Sequence, residues 1–235
     1  MQTVILCGGK GTRMGQDLEG LPKALIPIGD KPIIWHIMKY YSCFGFNDFI
    51  LCLGYKGSDI ISYFKNKKEF KIRFLDTGIE TNTGGRIKIA ERLIKEEVFL
   101  ATYGDGLSDV KIKSLLKFHK EHKKTATLTA VRPRSTFGIA GIDSKTSVIT
   151  HFQEKPLLDH WINGGFFVFN RSIFSYLKPG DVLESDTFKR LVRNRELLAY
   201  KHKGFWECMD TYKDNLRLNE LWLANKAPWS LGKGR

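Results

Sequence analysis

Apolar residues in this chain come in short runs separated by polar segments with helical spacing. Residues 3–7 (Thr-Val-Ile-Leu-Cys) form an apolar run that ends in glycines, the pattern of a strand buried on both faces. Residues 31–45 place Ile33, Ile34, Ile37, Met38 and Tyr41 at helical intervals, with Pro32 at the start and Gly45 at the end. Residues 48–54 read as the next buried strand, and 58–66 as a helix opened by a Ser58-Asp59 cap. A strand over 71–77, a helix over 85–96, a strand over 98–106 ending in a turn, a helix over 112–123 and a strand over 125–131 follow. This alternation predicts an α/β fold with a Rossmann-like, doubly wound sheet and short crossovers. The second half is more mixed. Residues 147–156 and 161–170 read as strands, 171–178, 185–194 and 214–226 as helices, and 196–210 as a pair of strands. With no repeat, linker or low-complexity stretch, residues 1–235 read as one domain.

Composition narrows the partners. The chain of 235 residues has 38 Lys+Arg against 25 Asp+Glu, a formal charge of +13. Such a surplus suits nucleic acid, an anionic membrane or phosphorylated small molecules, or else it is a solvated lysine surface. Nucleic-acid binding predicts a basic stripe interleaved with aromatics. Here the aromatics sit mainly in apolar runs and the lysines are scattered, as in 117–124, so no nucleic-acid partner is expected. No apolar run approaches the ~20 residues of a membrane helix, and no signal-peptide pattern opens the chain. A cytoplasmic protein without a membrane partner is expected. Cys7, Cys43, Cys52 and Cys208 form no Cys-x-x-Cys pair, which favours reduced thiols over a metal site or disulfides.

The segments with candidate chemistry follow strand ends, where open α/β sheets bind ligands. After the first strand, Gly8-Gly9-Lys10-Gly11-Thr12-Arg13 gives backbone N–H groups close access to a phosphate chain, with Arg13 as a forked donor. Alternatively it is a tight turn. Lys23 follows Pro22 and could neutralise phosphates, or be an ordinary loop lysine. Asp105 lies between Gly104 and Gly106 at a strand end, where a carboxylate can hold Mg²⁺ between phosphates or sit in a type I′ turn. Glu154 and Lys155 adjoin at a strand end and should point opposite ways. Asn163 with Gly164 and Gly165 offers a polar edge for hydroxyls, or a bulge. Asp210 would give a second carboxylate, or cap the helix after it.

In this order, GGxGTR, PK, TGG, GDG, EKP, NGGFF and MDT resemble the sugar-1-phosphate nucleotidylyltransferases along essentially the whole chain. GYKG (54–57), TYGDGLSDV (102–110) and GFWECMDT (204–211) make it most similar to the glucose-1-phosphate cytidylyltransferase branch. The resemblance implies the nucleotide-diphospho-sugar transferase (GT-A-like) fold. It implies transfer of CMP from CTP to a small phosphorylated acceptor, glucose 1-phosphate by default, with release of pyrophosphate. UTP or dTTP as donor, or a non-sugar phosphate such as phosphoglutamine as acceptor, stay open. Residues carried over for the nucleotide are Leu6, Gly8, Gly9, Gly11, Thr12, Arg13, Lys23, Thr83, Gly84 and Arg86, with Arg13 and Lys23 catalytic. Asp105 and Asp210 match the Mg²⁺ ligands. Gly138, Glu154, Lys155 and Asn163 match positions around the acceptor, Lys155 on its phosphate. A homo-oligomer, taken as a dimer, is implied too. Two departures stand out. Related cytidylyltransferases have a longer segment between Phe64 and Leu75, and a second lysine close to the position of Lys23.

Overall fold

The computed structural model describes residues 1–9, 11 and 20–231. In chain order the strands and helices are β1 Gln2–Leu6, β2 Pro27–Ile28, β3 Lys31–Pro32, α1 Ile33–Cys43, β4 Asp48–Leu53, α2 Gly57–Phe64, β5 Lys71–Asp76, α3 Thr83–Ala90, β6 Val98–Tyr103, β7 Gly106–Ser108 and α4 Ile112–His122. They continue as β8 Ala126–Val131, β9 Ile139–Ile142, β10 Ile149–Gln153, β11 Ile162–Asn163, β12 Phe167–Asn170, α5 Phe188–Arg193, β13 Leu197–Lys201, β14 Trp206–Cys208 and α6 Tyr212–Leu223.

The central sheet runs β5-β4-β1-β6-β12-β8, with β13 beside β8 and β11 continuing the line of β12. The pairs β4–β5, β1–β4, β1–β6 and β8–β13 are parallel, while β11 and β12 are antiparallel to their neighbours. The chain leaves β1 for β4 on one side and returns to β6 on the other. The crevice beyond the carboxyl ends of β1 and β6 is therefore the topological switch point, where such sheets bind ligands.

Alternation along the strands builds two cores. Ile5, Phe49, Leu51 and Leu100 face α1, α2, α4 and α6, whereas Val4, Leu6, Ile50, Cys52 and Phe99 face α3 and α5. Every residue of β1 is buried, which explains its nearly unbroken apolar run. On the second face Phe167 stacks on Phe169 at 5.3 Å and meets Phe188 edge-on.

Some local readings differ. The strands expected over 196–210 are not partners: β13 joins β8 in the main sheet, whereas β14 pairs antiparallel with β7. Helix α2 starts one residue before Ser58, after a left-handed Lys56 (φ +49°), and no side chain caps it. Residues 171–178 make only a 3₁₀ segment, Arg171–Ser175. Antiparallel β9 and β10 form a ribbon that carries exposed Ile142, Ile149 and Phe152. Among the described residues, no helix is long and apolar enough to cross a membrane.

Phe167 is 0% exposed. Phe167→Ala is expected to lower the unfolding free energy by about 3–5 kcal/mol, read by urea denaturation. A loss below about 1 kcal/mol would contradict this packing.

Candidate active site

The loop after β1 rests on a buried arginine. Arg86 projects from α3 and is 5% exposed. Its Nη1 donates to the Leu53 carbonyl at 2.8 Å and to Thr77 Oγ1 at 2.5 Å. Its Nη2 donates to the Gly8 and Ile79 carbonyls, both at 3.2 Å. One guanidinium thus ties together the segments that follow β1, β4 and β5. Burial pulls its pKa below the usual arginine value. The resemblance assigns Arg86 to the nucleotide; these four bonds run to protein oxygens, although Arg86 also borders the cavity. A Cβ on Gly8 would lie 2.1 Å from Arg86 Nη1, and one on Gly54 only 2.6 Å from the Gly8 carbonyl. Both positions need glycine for this close approach. Gly11 is left-handed (φ +62°), and a Cβ there would lie 2.9 Å from Lys23 Cβ.

Lys23 follows Pro22 on a single 3₁₀ turn, Lys23–Leu25. Its Nζ lies 2.6 Å from Asp105 Oδ2 and 2.6 Å from Asp210 Oδ1. Burial opposes its charge, but the field of Asp105 and hydrogen bonds to both carboxylates outweigh that and raise its pKa. Lys23 therefore stays protonated through neutral pH. The two aspartates meet because β7 and β14 pair antiparallel, Cys208 opposite Gly106, and Met209 N donates to the Asp105 carbonyl at 2.9 Å. Neither Gly104 nor Gly106 has positive φ, which excludes the type I′ turn. The cap of α6 is Thr211, which leaves Asp210 pointing at Lys23.

A cavity of about 550 Å³ opens above these groups. Of the expected nucleotide residues, Leu6, Gly8, Gly9, Gly11, Lys23, Thr83 and Arg86 line it, together with Asp105 and Asp210. Gly84 does not. Its missing Cβ lets α3 approach the Asp181 carbonyl, 2.8 Å from where that atom would sit. Thr12 and Arg13 lie outside the described residues. Sequence reasoning missed Tyr103 and Glu184. The Tyr103 hydroxyl donates to Glu184 Oε1 and accepts from Asn163 Nδ2 at 2.9 Å, while Thr83 Oγ1 donates to Glu184 Oε2 at 2.8 Å. Burial, then the Glu184 charge, pushes the tyrosine pKa up, so it remains a neutral donor. This chain links Thr83 at the cavity wall to Asn163. No local signal marks Glu184, which is separated from Tyr103 by 81 positions.

The remaining acceptor candidates stand apart from the cavity lining. Lys155 is left-handed (φ +45°), two residues past the end of β10. Its Nζ pairs with Glu154 Oε1 at 3.4 Å, so the two side chains do not diverge as an extended strand would require. Gly138 lies against both the ribbon and the acid: a Cβ would be 2.3 Å from Phe152 Cζ and 3.0 Å from Glu154 Oε2.

Ligand atoms of Asp105, Cys208 and Asp210 lie within 4.8 Å of one another. Two carboxylates that already share a cation are a donor set suited to a hard divalent ion such as Mg²⁺. Burial, then the Asp105 charge, pushes the Cys208 thiol up, so it stays protonated beside them.

Residues 2–223 match the family model described as "Nucleotidyl transferase". The chain is 42% identical to "Glucose-1-phosphate cytidylyltransferase" of Salmonella typhimurium over an alignment 255 positions long, covering 97% of this chain and 98% of the relative. It is 40% identical to "Probable glucose-1-phosphate cytidylyltransferase" of Bacillus subtilis, covering 98% and 100%. These alignments are longer than the 235-residue chain, so the relatives carry residues that it lacks. HddC from Yersinia pseudotuberculosis shares the fold, with a TM-score of 0.74 at 23% identity over 94% of this chain and 99% of that one.

Gly8→Ala is expected to cost about 1–3 kcal/mol of stability by displacing the Arg86 guanidinium. The cost should shrink when Arg86 is already alanine. Additive losses in that double-mutant cycle would show that Gly8 and Arg86 do not depend on one another.

Proposed function

Because the chain belongs to the nucleotidyl transferase family, we propose that it transfers the CMP group of CTP to glucose 1-phosphate and releases pyrophosphate. One observation carries the reading. Lys23, Asp105 and Asp210 converge beneath a glycine loop at the switch point of the sheet, in a chain 40–42% identical to proteins named for this reaction.

The reaction is an in-line displacement. A phosphate oxygen of the acceptor attacks the α-phosphorus of CTP, and the bond to the β-phosphate breaks. The acceptor oxygen is already anionic, so the protein needs no general base and no nucleophile of its own. Its task is to bring two polyanions together and offset their charge. Backbone N–H groups of the glycine loop receive the triphosphate, with Arg13 as a further donor. Lys23 supplies a permanent positive charge on a flexible stem. Lys155 holds the acceptor phosphate, and Asn163 and Glu154 meet its hydroxyls. Arg86 acts behind the loop, fixing the position of Gly8. Asp105 and Asp210 would hold Mg²⁺, which would offset the negative charge of the phosphates. The work suits the cytoplasm, where nucleoside triphosphates are available.

A second reading keeps CTP but replaces the sugar with another small phosphorylated acceptor, such as phosphoglutamine. It is favoured by the residues that the relatives have and this chain lacks.

Incubation with CTP, glucose 1-phosphate and Mg²⁺ is expected to yield CDP-glucose and pyrophosphate, followed by ³¹P NMR. Asp105→Asn should lower turnover at least about 100-fold while leaving the melting curve in place. Lys155→Ala should raise KM for the acceptor about tenfold or more and leave KM for CTP nearly unchanged. Equal losses for both substrates would remove Lys155 from the acceptor side. Product formed with CTP only from a non-sugar phosphate would favour the second reading.

A further inference from the structure

The same lysine that is expected on the nucleotide phosphates is bonded elsewhere. Its ammonium lies in the gap between Asp105 and Asp210, 2.6 Å from an oxygen of each. A divalent ion bound to those oxygens at about 2.0–2.1 Å would enter the same gap. An ammonium and a dication within a few ångströms repel strongly, and one pair of oxygens cannot serve both. We propose that Lys23 is a built-in place-holder for the metal: its ammonium occupies the two-carboxylate site of the free protein and must leave before the ion can bind. This rests on the reading of Asp105 and Asp210 as the metal ligands.

The local architecture lets Lys23 move without disturbing the fold. Its backbone is held by the Pro22 turn, where Leu25 N donates to the Pro22 carbonyl at 2.7 Å and Ile26 N to the Lys23 carbonyl at 3.2 Å. The four-carbon stem beyond that anchor is flexible. Gly11 of the glycine loop sits against the base of the stem, so the ammonium is within a side-chain swing of whatever binds the loop. Triphosphate oxygens arriving there offer Lys23 replacement anions and vacate the carboxylates. The place-holder also keeps two nearby carboxylates compensated until substrate arrives. A role limited to phosphate binding has no such effect on the free protein. Metal affinity without nucleotide is then low because of Lys23, and metal and nucleotide favour each other's binding.

The test is Mn²⁺ binding followed by EPR, with and without CTP, in the full-length protein, in Lys23→Met and in the double variant Lys23→Met/Asp105→Asn. Without nucleotide, Lys23→Met should bind Mn²⁺ about tenfold tighter than the wild type, and the double variant should lose that gain. A second measurement needs no variant. Saturating Mn²⁺ should increase acetylation of Lys23 severalfold, read by mass spectrometry, while exposed Lys117 is unchanged. The place-holder is overturned if Lys23→Met gives equal or weaker nucleotide-free Mn²⁺ binding, or if Mn²⁺ leaves Lys23 labelling unchanged. If the wild type still binds Mn²⁺ with CTP, the transferase reading survives that result. If no form binds Mn²⁺ with or without CTP, Asp105 and Asp210 are not metal ligands and the place-holder falls with that assignment.

Discussion

Two ionised carboxylates side by side in a half-buried site repel one another unless a cation lies between them. Asp105 and Asp210 meet that constraint through Lys23, which lies 82 positions from one and 187 from the other. Much of the fold serves this meeting. The parallel order of β4, β1 and β6 sets a crevice at the switch point. The short antiparallel pair β7–β14 brings the distant Met209-Asp210 segment alongside Asp105. Pro22 and its single turn fix where the lysine stem begins. Loss of Lys23, or of the turn that places it, would leave a like-charged pair uncompensated, and that cost rises as water is excluded.

Arg86 solves a second problem of placement. A glycine loop is useful for phosphate only if its backbone is held, yet glycine has no side chain to anchor it. The buried guanidinium anchors the loop from behind by grasping the Gly8 carbonyl and the ends of two neighbouring strands. This close approach explains why Gly8 and Gly54 lack a Cβ. Site and scaffold therefore use opposite signs of the same chemistry. Cations meet carboxylates at the front, and a cation meets carbonyl dipoles at the back. The Tyr103–Glu184–Thr83 chain adds a third fixed element, reaching from the cavity wall to Asn163.

The parallel half of the fold was legible because its strands are short apolar runs and its helices carry apolar residues at regular spacing. Lys23, Asp105 and Asp210 were legible too, since each follows a Pro, Gly or strand-end signal and keeps its order in the family pattern. Other features depend on contacts that no local pattern records. Arg86 carries the mark of a ligand-facing arginine, but burial and carbonyl partners turn it into a support. Glu154 and Lys155 read as neighbours on an extended strand until a left-handed Lys155 folds one toward the other. The pairing of β13 and β14 could not be inferred from their adjacency, because each finds a longer-range partner. Glu184 acquires its place only when the chain just before it packs against α3, where the missing Cβ atoms of Gly84 and Gly85 leave room for Asp181 and Pro179.

On the proposed reading the site works by positioning and charge neutralisation, with no nucleophile from the protein. The most direct measurement is the configuration at the α-phosphorus when CTP carrying a chiral α-phosphorothioate is the donor. A single in-line attack by the acceptor phosphate predicts inversion. Retention would require two displacements through a protein-bound nucleotide and would contradict the account.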